Sequence, residues 1–234
     1  MNEILVVIPA RGGSKGILRK NVRLLGGKPL IHYSIEIAKA LFPEEHICVS
    51  TDDAEIKEVS EKMGIKVPFI RPEELATDTA STQDVILHAL DFYANRYLRQ
   101  YKGVLLLQPT SPFRRVEQVQ QAIDLFRSEL DMVASVKRTK SNPYFNLFEM
   151  NRKDGLIYKS KTGNFTRRQD SPTIYELNGS IYVMNVSALR KGPIGQFERI
   201  APYEMGEEYS VDLDEEKDWQ WAEWILKTKG DYIL

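Results

Sequence analysis

The 234-residue chain holds a single cysteine, Cys48, so no disulfide can form within it and no CxxC pair is available for zinc. A reducing, cytoplasmic setting is the simplest expectation. No apolar run reaches 18 residues, and the N-terminus has neither a basic leader nor a small-residue cleavage site, so a membrane span and an export signal are not expected. Charge of one sign is lacking too. With 32 Lys+Arg against 33 Asp+Glu the net charge is -1, which argues against nucleic acid or an anionic membrane as partner. The three histidines, His32, His46 and His88, show no HxxxH spacing or shared face and read as structural or surface residues. No Ser–His–Asp or Cys–His nucleophile is suggested either, so any catalysis should rest on positioning and charge.

What is present is alternation. Short β-rich apolar runs separated by helical periods predict stacked βαβ units: an α/β chain with a mostly parallel sheet and helices on both faces. Its length fits one domain over 1–234. Strands are expected at 4–8, 47–50, 66–70, 103–107, 132–136 and 180–184. Ile31, Ser34, Ile35, Ala38 and Leu41 line one helix face, and Ile56, Val59 and Met63 a second that Gly64 ends. A third helix follows Ser81, spaced to Asp84 as a capping box, with Ile86, Ala89, Leu90, Tyr93 and Tyr97 inward. Val119, Ala122, Ile123 and Phe126 mark a fourth. Residues 138–177 break the rhythm with aromatics, turn residues and cations, and are expected to leave the sheet as an inserted arm containing a short hairpin that could pair with another subunit.

The first expected strand runs into "VVIPARGGSKGILRKN", residues 6–21. Ligands of open α/β sheets bind beyond the carboxyl ends of strands, where glycines let backbone N–H groups approach phosphate, as Gly12, Gly13 and Gly16 could here. Two familiar phosphate motifs fail on spacing. Walker A needs a glycine five positions after Gly12 or Gly13, and the dinucleotide fingerprint needs one where Arg11 stands. What remains is a loop able to surround an anion with amides and with Arg11, Lys15, Arg19 and Lys20, which suits a triphosphate. The alternative is a solvated glycine-rich connection.

A second constellation is "VDLDEEKDWQWAEWIL", residues 211–226. If 211–213 end a strand, Asp212 and Asp214 point to one side, about 6.6 Å apart along the backbone. That spacing lets two carboxylates hold a divalent cation such as Mg²⁺ with nucleotide phosphates. Asp214 followed by further acids could equally open a helix. In "LLLQPTSPFRR", Gln108 ends a strand where its carboxamide could read a base edge, or could simply belong to a polar turn. "FIRPEELATDTAST" puts Arg71 at a strand end, with Ser81 and Thr82 opening the next helix.

In order and spacing, "IPARGGSKGILRKN", "STDDAEI", "RPEELATDTAST", "LLLQPTSPFR", "NGSIYV" and "VDLDEEKDWQWAE" resemble the CMP-sialic acid synthetases, or N-acylneuraminate cytidylyltransferases, over essentially the whole chain. The resemblance implies a Rossmann-like fold of the nucleotidyltransferase type, with the reaction CTP + nonulosonic acid → CMP-sugar + pyrophosphate and Mg²⁺ as cofactor. It also implies a homodimer whose 138–177 arm crosses to the neighbour. By that resemblance Arg11, Gly12, Gly13, Ser14, Lys20 and Asn21 bind CTP, joined by Arg71, Ser81, Thr82 and Gln108. Asp212 and Asp214 hold the metal, with Arg11, Lys20 and Asp212 carrying the chemistry. Gln108, Arg168 (lent by the partner, in competition with Arg167) and Asn178 serve the sugar site. Leu18 departs from the family, where many relatives carry proline. Lys15 and Arg19 receive no part and are expected to face water. The rival readings are another sugar nucleotidyltransferase, for Kdo or a sugar 1-phosphate, and a non-catalytic nucleotide-binding module. The chain should also lack the hydrolase-like extra domain of some relatives.

Overall fold

The apolar runs at 4–8, 47–50 and 103–107 lie side by side, as expected of strands buried on both faces. The computed structural model describes residues 3–233, the side chains of Arg168 and residues 231–233 aside. In chain order the strands are β1 (Ile4–Pro9), β2 (Leu24–Leu25), β3 (Lys28–Pro29), β4 (Ile47–Ser50), β5 (Gly103–Leu106), β6 (Met132–Arg138), β7 (Phe148–Met150), β8 (Ile157–Lys159), β9 (Tyr175–Asn185) and β10 (Ile200–Glu204). The helices are α1 (Leu30–Leu41), α2 (Ala54–Glu61), α3 (Thr82–Tyr97), α4 (Val116–Leu125), α5 (Val186–Lys191) and α6 (Glu216–Ile233).

Six strands form the central sheet in the order β10-β6-β9-β5-β1-β4. β1 pairs in parallel with β4 and β5, and β10 with β6, whereas β9 runs antiparallel to both of its neighbours. Alternate residues of β1 serve opposite cores. Val6 and Ile8 meet Ile31 and Ile35 of α1 and Val119 of α4 in one cluster; Leu5 and Val7 meet Ile86, Ala89 and Tyr93 of α3 in the other. Helices therefore cover both faces. A third cluster gathers Ile17, Leu25, Phe113, Leu213 and Trp219, joining the opening loop to α6.

Local signals set several boundaries. Ser81 caps α3, its hydroxyl accepting the Asp84 N–H at 3.1 Å and donating to the Asp84 carboxylate at 2.7 Å. Gly64, at φ +80°, follows α2 in the left-handed region. Other expectations need correction. Residues 66–70 form no strand; Pro68 removes a ladder donor in mid-run, and only a Thr51–Ile70 bridge ties the segment to the sheet beside β4. Tyr97 is half exposed at the end of α3. Residues 211–213 are in no strand, although burial still alternates with Val211 and Leu213 inward. β10 was unforeseen, because Pro202 interrupts it and it serves only as an edge.

The segment 138–177 begins in β6 and returns in β9, whose outer ends pair Arg138 with Tyr175. Between them lies the antiparallel β7–β8 hairpin, whose residues are all exposed.

Candidate active site

Residues 10–23 leave the carboxyl end of β1 as a pinned loop rather than a solvated one. Ile17 is buried in the third cluster, and the Asn21 Nδ2 donates to the Arg11 carbonyl at 2.9 Å, tying the loop's two ends. Two acids following β4 grip it from outside. Asp52 accepts the Gly12 N–H at 3.0 Å, so that amide is already satisfied. Asp53 accepts from Arg19 Nη1 at 2.5 Å while capping α2 through the Ile56 N–H at 2.9 Å. Arg19 also bonds Glu55 and holds the left-handed φ of +54°. Its guanidinium keeps the Asp53 carboxyl below the usual carboxylate range, against the opposing effect of burial. Arg19 therefore does not face water as expected; it anchors a turn. Lys15 is 80% exposed but pairs with Asp78 at 2.6 Å.

Lys20 joins the loop to the acidic pair. Its Nζ donates to the Leu213 carbonyl at 2.5 Å and lies 3.4 Å from Asp214 Oδ1. Just ahead of α6, Asp218 Oδ2 accepts the Asp214 and Glu215 N–H groups at 3.1 and 2.7 Å, bracing the turn that carries Asp214. Asp212 lines the cleft with part of its surface exposed to solvent. Partial burial, with the Asp214 charge adding to it, raises its carboxyl above the usual carboxylate range, while a hydrogen bond from Thr110 opposes them. A pair of carboxylates offers the oxygen ligands that a hard divalent cation takes.

The cleft holds about 380 Å³, within the range of small-ligand sites. Arg11, Gly13, Ser14, Lys20 and Asn21 line it from the loop; Arg71, Thr82, Gln108, Asp212 and Asp214 line it from the segments facing that loop, Thr82 as the first residue of α3. Arg71 is buried, which lowers its pKa, and bonds Ser50 through Nε at 3.0 Å and through Nη2 to the Ser50 carbonyl. Gln108 reaches the wall beside Gly179, whose φ of +74° suits glycine; a Cβ there would sit 3.1 Å from Gln108 Oε1.

Three residues expected at the site lie off the cleft wall. Gly12 faces Asp53, Ser81 spends its hydroxyl on the α3 cap, and Asn178 is buried beneath the site. Asn178 Oδ1 accepts from the Ser135 hydroxyl at 2.5 Å and its Nδ2 donates to Ser210 at 2.9 Å, so its carboxamide braces the sheet. The side chain of Arg168 lies outside the described residues. Sequence reasoning missed Asp52, Asp53, Asp78 and Arg114. Arg114 is fully buried, its pKa pushed down to about 9 by burial, with no carboxylate partner among the described residues. It donates to the Gln108 and Ser180 carbonyls at 2.5 Å each and to the Ser34 hydroxyl at 3.0 Å, clamping the cleft floor.

The family model described as cytidylyltransferase matches residues 5–227. A Campylobacter coli protein named post-translational flagellin modification protein B is 36% identical over 98% of this chain and 97% of its own length. A CMP-N,N'-diacetyllegionaminic acid synthase of Legionella pneumophila is 34% identical over 99% of both chains. Among solved structures, a CMP:2-keto-3-deoxy-manno-octonic acid synthetase complexed with CTP superposes with a TM-score of 0.70 at 19% identity, over 97% of this chain and 99% of that one, a likeness of fold.

Proposed function

This chain belongs to the cytidylyltransferase family, and on that premise we propose that it transfers the cytidylyl group of CTP to a nonulosonic acid and releases pyrophosphate. The observation carrying this reading is the meeting of Lys20 with Leu213 and Asp214, which joins the cationic loop to the acidic pair across one cleft. The end-to-end relative named for legionaminic acid supports a sugar of that class.

In the proposed reaction the sugar's anomeric hydroxyl oxygen attacks the α-phosphorus of CTP. The bond to the β-phosphate breaks, pyrophosphate leaves with the electron pair, and the hydroxyl proton passes to water. Negative charge grows on the phosphate oxygens, and Arg11 and Lys20 are the cations aimed at it. The Gly13 and Ser14 region cradles the phosphates, Gln108 and Arg71 flank the base end, and holding both reactants in one cleft supplies proximity. Asp212 and Asp214 would hold Mg²⁺, which when bound neutralises phosphate charge.

We extend the proposal to a homodimer formed through the 138–177 arm. A lone two-stranded hairpin is marginal in water, and Phe148, Met150, Ile157 and Tyr158 stand exposed on this one. Light scattering should show a dimer that Met150→Asp with Ile157→Asp dissociates. The reaction would take place in the cytoplasm, where the buried Cys48 thiol, its pKa pushed up to about 12, stays reduced. Pyrophosphate release with CTP and Mg²⁺, run over neuraminic, legionaminic and pseudaminic acids, tests the function; no release with any of them refutes it.

A further inference from the structure

Asp78 lies in the turn at 76–80, against the same cleft as Ser14 and Lys20. Its carboxylate bridges two cations of the opening loop, with Arg11 Nη1 2.7 Å from Oδ1 and Lys15 Nζ 2.6 Å from Oδ2. The turn is braced by Thr77, whose hydroxyl oxygen accepts the Ala80 N–H at 3.1 Å and bonds the Thr79 hydroxyl at 3.1 Å. Asp78 is the only acid in 76–80. Two oxygens of a phosphate would make the same pair of contacts.

We propose that Asp78 is a specificity-determining residue of the cytidylyl transfer: an internal counter-anion that occupies Arg11 and Lys15 and yields them only to a ligand of higher negative charge. This rests on the reading that the cleft receives a nucleoside triphosphate. A polyphosphate brings more charge than the carboxylate it displaces, and it finds Lys20 on the same wall, so exchange favours it. A ligand bearing one carboxylate, such as the acceptor sugar acid, gains nothing by exchange. Asp78 thus keeps the acceptor's carboxylate out of the phosphate end of the cleft. The cost of this filter is affinity, because every productive encounter must break two ion pairs.

The test is calorimetric titration of the full chain with inorganic tripolyphosphate, which needs no turnover. Asp78→Asn and Asp78→Ala should bind it roughly three- to tenfold more tightly than the native chain, as expected when two exposed ion pairs need no longer be broken. The KM for CTP should fall in step. Glu73→Gln removes a nearby exposed acid that touches neither cation, and should leave both quantities unchanged. Weaker binding by the Asp78 variants, the result if the carboxylate merely orients Arg11, overturns the proposal. An equal gain in Glu73→Gln also overturns it, reducing the effect to bulk charge. Equal binding by all four proteins removes the role of Asp78 while the nucleotide reading stands; no binding by any of them removes both.

Discussion

Gly16 lies flush against Asp214: a Cβ built at position 16 would stand 1.9 Å from the Asp214 carbonyl oxygen. Residues almost 200 positions apart are thus in backbone contact, and the opening loop and the acidic turn have a fixed spacing. Gly16→Ala must push them apart. Turnover should drop by about 100-fold, the scale of a 1 Å misplacement, with a near-native circular dichroism spectrum. Native-like turnover would mean that the spacing carries no function.

Lys20 spans the same seam. Lys20→Ala should lose about 100-fold in kcat, comparable to removing one electrostatic stabiliser, with the fold retained. Near-normal pyrophosphate release from the purified variant would exclude Lys20 from the chemistry.

Asp212→Asn keeps the shape of the cleft but removes a charge. The Mg²⁺ concentration for half-maximal rate should rise at least the roughly tenfold that loss of even a supporting group costs a metal site. A superimposable magnesium titration would remove Asp212 as a ligand.

Arg19 separates backbone from side-chain effects. Its φ of +54° favours glycine, whereas its guanidinium bonds Asp53 and Glu55. Arg19→Ala loses those contacts and keeps the unfavourable backbone, so in urea melts it should be less stable than Arg19→Gly by about 1 kcal/mol. The reverse order would mean that the turn relaxes freely.

Two dry histidines set an acid limit on stability. His46 is buried with Nδ1 3.1 Å from the Tyr101 hydroxyl, and His88 packs edge-on to Phe69 at 4.7 Å. Burial first, with help from Arg99 at His46 and Arg71 at His88, lowers both pKa values. The unfolded chain then takes up protons near pH 6.5 before the folded one does. Stability present above that pH is lost as pH falls through it toward the folded pKa values. The melting temperature should decline from about pH 7 to 5, and His46→Asn with His88→Asn should flatten the decline. An unchanged slope would assign it to carboxylates.

The sequence was most legible where causes are local. The Ser81 cap needed only Asp84, and the β1 loop announced itself by composition next to a buried run. It was least legible where a residue's partner is distant. Asp78 is defined by Arg11 and Lys15, more than sixty positions away, and nothing in "ATDTAST" encodes that meeting. Asn178 sits in a recognisable motif, but its carboxamide is spent on Ser135 and Ser210, which only the packed sheet reveals. Pro68 and Pro202 show the same limit from the other side. Each interrupts a β-like run, and only the neighbouring strand decides that 200–204 pairs while 66–70 does not.

β9 reverses the direction of its sheet, so it brings its beginning, not its end, to the edge where the other strands finish. The chain returning from 138–174 therefore reaches Gly179, against Gln108 and Ser111, soon after Tyr175 and Leu177. Between Leu177 and Tyr182 the register slips, with Ser135 alone on β6 facing residues 178–181, so Gly179 sits in a bulge between two regularly paired stretches of β9. The cleft wall there belongs to the least regular part of an otherwise continuous strand, and a displacement entering from the hairpin side meets that slack before it meets β5.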